Sequence, residues 1–123
     1  LACLRAFADM IPAIEANRDA MYRAAGEGYS TATDLADYLV RRGVPFRDAH
    51  EIVGRAVHLA IERQTTLDAL PLADLQQLSP AIAADVYQSL TLEGSVNARD
   101  HFGGTAPAQV KARIAAARET LQD

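Results

Sequence analysis

Residues 28–54 read GYSTATDLADYLVRRGVPFRDAHEIVG, and nearly every position in this stretch starts, stops or faces a helix. Thr31 stands at an N-cap position. Asp34, three residues on, is placed to complete a capping-box-like exchange and suits the positive first turn of a helix. Leu35, Tyr38 and Leu39 recur at helical spacing, and Arg41 with Arg42 loads the last turn with the charge that its negative dipole end prefers. Gly43 then stops the helix, because glycine enters the left-handed C′ conformation without a Cβ penalty, and Val44 follows as the apolar contact of a Schellman ending. Pro45 opens a second helix where a missing N–H matters little. Phe46, Ala49, Val53, Ala56, Val57, Ala60 and Ile61 follow the 3, 4, 3, 4 rhythm of one buried face, with Gly54 in the helix interior.

The same logic extends in both directions. Leu1, Leu4, Ala8 and Ile11 form a stripe on an opening helix that is also apolar at Ala2, Phe7 and Met10, so it wants burial on more than one side. Pro12 ends or kinks it, and Asn17 caps a short helix through Ala25 before the Gly26-Glu27-Gly28 break. Beyond the hairpin, Gln64, Thr65 and Thr66 interrupt the pattern. Leu67, Leu70, Leu72, Leu75 and Leu78, punctuated by Pro71, then read as one or two short helices with inward leucines. Ser79-Pro80 is a cap-then-proline signal for a helix through about Leu90, and Thr91 caps another near Leu92 to Arg99. Gly103-Gly104 breaks the chain again, Thr105 caps the final helix, and Val110, Ile114, Ala117 and Leu121 make its stripe. No segment alternates with the period of a strand. The pattern predicts an all-α domain, a small orthogonal bundle of helical hairpins joined by short Gly and Pro turns.

A chain of 123 residues with 50% hydrophobic and 23% charged residues builds one modest core and belongs among globular proteins. No apolar run approaches the roughly 20 residues of a membrane span, so no membrane partner is expected. Cys3 is the single cysteine. It has no disulfide partner within the chain, reads as packing on an apolar helix face, and suits a cytoplasmic location. Leu1 shows no features of a secretory leader and reads as the cut end of a longer polypeptide. A short turn between two helices also invites a helix-turn-helix DNA reader. The second helix, however, places Asp48 and Glu51 beside Arg47, and the formal net charge is -4 with a pI near 5.3. Phosphate repulsion argues against nucleic acid as a partner.

Candidate chemistry is sparse. His50 and His58 lie two turns apart on one helix, roughly 12 Å along its axis, too far to share a metal ion. His50 is expected to pack at the hairpin interface, and His101 to sit in a solvated turn. The Gly103-Gly104-Thr105 turn has the form of an anion site at a helix N-terminus but lacks the lysine and spacing of a phosphate loop, so simple capping is its expected role. Ser95 is no nucleophile elbow, because no strand precedes it and Asn97 stands where a second glycine is needed. The acidic residues read as singly scattered, solvated positions. No catalytic, cofactor-binding or metal-binding residue is assigned.

The segment TATDLADYLVRRGVPFRDAHEIVG, the later LTLEGSVNARDHFGGTAPAQV and the leucine-rich turns between them resemble, in order and spacing, the carboxy-terminal region of the argininosuccinate lyase family, within the fumarase/aspartase superfamily. The resemblance covers almost the whole chain. It implies β-elimination of argininosuccinate to arginine and fumarate in arginine biosynthesis, without a cofactor. The implied base is a serine on a Gly-Ser-Ser-x-Met-Pro-x-Lys loop that these residues do not contain, so no catalytic residue is carried over. It further implies that residues 1–25 are the tail of a central-bundle helix with its connection, and that residues 26–123 are the carboxy-terminal domain. That domain would support, and gate, an active site assembled in a homotetramer. A piece of this kind would be inert alone and could pair as a dimer through its opening helix; the rival expectation is a stand-alone helical dimerisation or interaction module.

Overall fold

The structure is a computed structural model that describes residues 1–121. It is all-helical: α1 (Ala2–Met10), a 3₁₀ turn (Ile11–Ala13), α2 (Arg18–Gly26), α3 (Ala32–Arg41), α4 (Phe46–Glu62), a second 3₁₀ turn (Leu67–Ala69), α5 (Leu72–Leu78), α6 (Val86–Leu90), α7 (Leu92–Asn97) and α8 (Pro107–Thr120). Among the described residues there is no strand.

The α3–α4 hairpin is the centre of the fold. α3 packs chiefly on α4 and secondarily on α6. Its ending is the predicted Schellman motif, with the Val44 N–H donating to Leu39 O at 3.1 Å, the Gly43 N–H to Val40 O at 2.9 Å, and Gly43 at φ +87°. Val44 packs against the core. α4 ends the same way without a glycine. Thr65 N–H donates to Ala60 O at 2.9 Å and Gln64 N–H to Ile61 O at 3.0 Å, which holds Gln64 at φ +52°, a conformation that disfavours a side chain.

Leu35 and Leu39 are fully buried and Tyr38 nearly so, against Ala49, Val53, Ala56 and Ala60 of α4. Two members of the expected α4 face are not in it, since Phe46 is 67% and Ile61 55% exposed. At 3.6 residues per turn, Ile61 lies about 120° from the Ala49 direction. Phe46 is the first helical residue and pairs with the His50 ring at 6.4 Å. Pro45 is the N-cap rather than the first helical residue. Leu67, Leu70 and Leu75, with Leu72 and Leu78 partly buried, enter the core as the leucine pattern predicts, and Ile82, Val86 and Leu90 complete it.

Besides Pro45, and α2 extending one residue further to Gly26, three boundaries differ from the sequence reading. Residues 79–85 form turns, and the helix expected from Pro80 begins only at Val86. Here side chains satisfy the backbone in place of a helix: Ser79 Oγ accepts from Ala81 N–H, Gln76 donates to Ile82 O, and Tyr38 Oη accepts from Ala83 N–H. α7 stops at Asn97, two residues short of Arg99, with Thr91 accepting from Gly94 N–H as its cap. Ala106, not Thr105, is the N-cap of α8. Asn17 does cap α2, accepting from Ala20 N–H at 3.1 Å.

Thr31 occupies the N-cap of α3 but makes no side-chain cap bond. Asp34 turns away from the helix end into the interior.

Gly43→Ala is expected to destabilise the fold by on the order of 1 kcal/mol or more, and Gly54→Ala, where an added Cβ meets open space, to stabilise it by about 0.5–1 kcal/mol. Gln64→Gly should also stabilise, since it relieves a left-handed side chain. Urea unfolding of the three variants checks the set; equal shifts at positions 43 and 54 would refute the assigned boundary.

Candidate functional site

The residues with conventional reactive potential do not converge. His50, His58 and His101 are all exposed. His50 therefore does not pack in the hairpin interface as expected, because its position on α4 lies outside the Ala49–Val53–Ala56–Ala60 face. His58 approaches Glu62 at 3.6 Å within one helical turn. Cys3 is exposed rather than packed. Among the described residues, no three His, Cys, Asp or Glu side chains gather in a way that could hold a metal ion.

The Gly103-Gly104 turn folds on itself. Gly104 N–H donates to His101 O at 2.8 Å and Ala106 N–H to Arg99 O at 3.4 Å, and a Cβ on Gly104 would sit 1.9 Å from Arg99 O. Two of the turn's N–H groups are thus used within the turn, and the glycine is required by close backbone approach. The Thr105 cap is not formed.

Polar side chains instead join elements distant in sequence. Tyr38 donates its hydroxyl to Asp85 Oδ1 at 2.7 Å, and Arg42 reaches both oxygens of the same carboxylate at 2.8 and 2.6 Å. The Arg42 guanidinium also lies 4.7 Å from the Tyr38 ring centroid, within cation–π range. This cluster clasps the non-helical 79–85 segment to α3. Burial raises the Tyr38 phenol above its ordinary value, while the hydrogen bond from Tyr38, followed by Arg42, lowers Asp85. Arg63 pairs with Asp74, tying the end of α4 to α5.

The third junction is the most buried. Asp34 is 4% exposed and accepts from Arg99 Nη1 at 2.9 Å across 65 positions of sequence. The same Nη1 faces Ser95 Oγ at 3.1 Å and Ser95 O, whereas Asp34 Oδ2 is buried with no partner. The acidic residues are thus not all solvated.

A cleft of about 470 Å³ opens between the Gly26–Thr31 connection, the 65–68 turn and the start of α7. Its charged lining residues, Glu27, Asp68 and Glu93, are all acidic. Tyr22 donates to Glu93 at 3.5 Å, and that carboxylate raises its phenol. α1 buries nothing: Leu4 is 69% exposed, and Phe7, Met10 and the following Ile11 are at least half exposed.

Fold and side-chain placement together define a small all-α hairpin domain whose polar groups serve mainly to fix helices. Residues 29–97 match the family described as Argininosuccinate lyase C-terminal. The chain belongs to that family. It is 69% identical over 121 residues to argininosuccinate lyase of Nitrosococcus oceani, covering 98% of this chain and 26% of the relative. It is 65% identical over 119 residues to that of Alkalilimnicola ehrlichii, covering 97% and 25%. The crystal structure of EDDS lyase in complex with formate superposes with a TM-score of 0.76 at 37% identity, over 86% of this chain and 23% of that one. A variant of EDDS lyase with bound fumarate gives the same values. The chain spans about a quarter of the length of these relatives.

Tyr38→Phe leaves Ala83 N–H and Asp85 short of a partner and is expected to lower stability by about 1–3 kcal/mol. Because Asp85 titrates lower folded than unfolded, its charge favours the fold above its ordinary value of 3.8, and that contribution disappears as pH falls through the lowered folded value. Asp85→Asn should therefore be less stable than wild type by a constant margin at neutral pH, and the margin should shrink below pH 3.8. Thermal melts across pH read this directly, and a margin that grows in acid would contradict it.

Proposed function

We propose that this chain is the carboxy-terminal domain of an argininosuccinate lyase, an enzyme that splits argininosuccinate into arginine and fumarate in arginine biosynthesis. The domain supports the active site without supplying its reacting groups. Residues 1–25 form the tail of a central-bundle helix and its connection, and residues 26–123 form the domain itself. The family match from position 29 and a core that starts with Tyr29 support a boundary at the Gly26-Glu27-Gly28 break.

The observation that carries this reading is the opening helix. It is apolar over most of its surface yet buries none of its residues against the other described residues, as expected of a helix that finishes inside a bundle built by other segments and other subunits. A cytoplasmic homotetramer, assembled through such bundles, is the proposed setting. The acidic balance of the chain argues against a nucleic-acid partner. The cleft offers carboxylates to a dicarboxylate product, which repels it, and no helix among the described residues is long and apolar enough to cross a membrane. No cofactor is invoked.

The 123-residue chain should release no fumarate from argininosuccinate above the spontaneous rate. Added in trans to the remaining three-quarters of the polypeptide, with its Gly-Ser-Ser-x-Met-Pro loop, it should restore turnover. Fumarate production by the chain alone would show that the reacting groups lie in these residues. A failure to restore activity in trans would favour the independent dimerisation module, whose self-association should vanish when residues 1–11 are removed.

A further inference from the structure

Residues 98–121 are bound to the rest of the chain in an unusual way. Ala106 is the one buried residue among them, and Val110 and Ile114 of α8, with Leu121 just after it, face solvent. Among the described residues, one hydrogen-bonded or ionic tie joins this segment to residues 1–91, the bond from Arg99 to Asp34. Within itself the segment is well connected. Ala106 N–H bonds Arg99 O, Gln109 donates to Asp100 at 3.1 Å, Arg113 lies 4.2 Å from the Phe102 ring centroid, and Gly104 sits against the Arg99 backbone.

We propose that the Asp34–Arg99 pair is a latch: it holds residues 98–121 as a strap against the head of α3, and opening it frees the strap while the α3–α4 core stays folded. The pair is built to be releasable. Nη1 carries two hydrogens but faces three acceptors, and Asp34 Oδ2 has none of the donors that a bidentate guanidinium pair would give it. The carboxylate is fixed in α3, deep in the fold, and the Arg99 side chain is 38% exposed. The mobile half of the pair is thus the strap's half. Ser95, at the end of α7, accepts from the same guanidinium and keeps it aimed when the strap is closed. With the latch open, the Val110–Ile114–Leu121 stripe can be presented in more than one direction.

The test measures distances between paired spin labels in the 123-residue chain carrying Cys3→Ser. One pair, at Glu51→Cys and Ala112→Cys, reports the strap against α4; a control pair, at Asp37→Cys and Glu51→Cys, reports the hairpin. The wild-type background should give a narrow distribution for both. Arg99→Gln should broaden the strap distribution at least twofold and leave the control unchanged, and Arg99→Lys, which keeps a cation beside Asp34, should restore the narrow form. A narrow strap distribution in Arg99→Gln would overturn the latch, as would a broad one in wild type. Broadening of both pairs in Arg99→Gln would show that the bond belongs to the fold itself, and would overturn it equally.

Discussion

The close approach of α3 to α4 is the constraint on which the rest depends. Ala49, Ala56 and Ala60 have no exposed surface, and their small side chains let the Leu35–Tyr38–Leu39 face of α3 settle directly onto the α4 backbone. Truncating Leu35 or Leu39 in such a site costs about 2–5 kcal/mol, a sizeable part of the whole stability of an ordinary domain. The reversal that makes this approach achievable is closed at Gly43, where the Val40 and Leu39 carbonyls at the end of α3 accept from the N–H groups of Gly43 and Val44. Helix pairing and turn therefore reinforce each other, and the later helices have only to cover the remaining open side.

That cover is secured by a mixture of apolar contact and specific polar ties. The ion pair between Arg63 and Asp74 is partly exposed and belongs to a class worth about 0–1 kcal/mol. Tyr38 and Asp85 matter more for shape than their count suggests, because the 79–85 segment forms turns instead of a helix and takes three of its backbone partners from side chains. Asp34 is a different case. A buried carboxylate loses much hydration, and one hydrogen bond to a guanidinium does not fully offset that loss. Its placement is better understood as setting where the 98–121 segment attaches than as adding to stability.

The hairpin was legible because its signals are local. Gly43, the Leu35–Leu39 spacing and the small face of α4 each depend on neighbours within a turn or two. The misreadings have a common physical origin in contacts made far along the chain. Ser79-Pro80 has the form of a helix start, yet Gln76 and Tyr38 compete for the backbone that a helix would have used. Asp34 looks like half of a capping box. It lies four residues before Tyr38, however, on the helical face that Leu35 and Leu39 also border, and a carboxylate beside a buried stripe demands a cation that only the tertiary structure could identify as Arg99. His50 was assigned to the interface by residue type, whereas its helical angle places it outside; Phe46 fits the helical rhythm but, as the first residue of α4, stays exposed. The absence of a reactive constellation was a sequence expectation that rested on resemblance as much as on spacing.

The two ends of the chain make the same point from opposite directions. α1 and α8 both carry apolar residues at helical spacing, and in both those residues face solvent. A nine-residue helix that buries none of its residues is marginal in water, and the apolar pattern of α1 is not used in the core formed by the described residues. α8 is longer, at 14 residues, and is fixed at its beginning by Ala106 and by the Arg99 attachment. The central hairpins bury their stripes within the chain, and the terminal helices do not. This contrast separates the helices that build the core from those that leave their apolar residues uncovered, and it does so through burial alone.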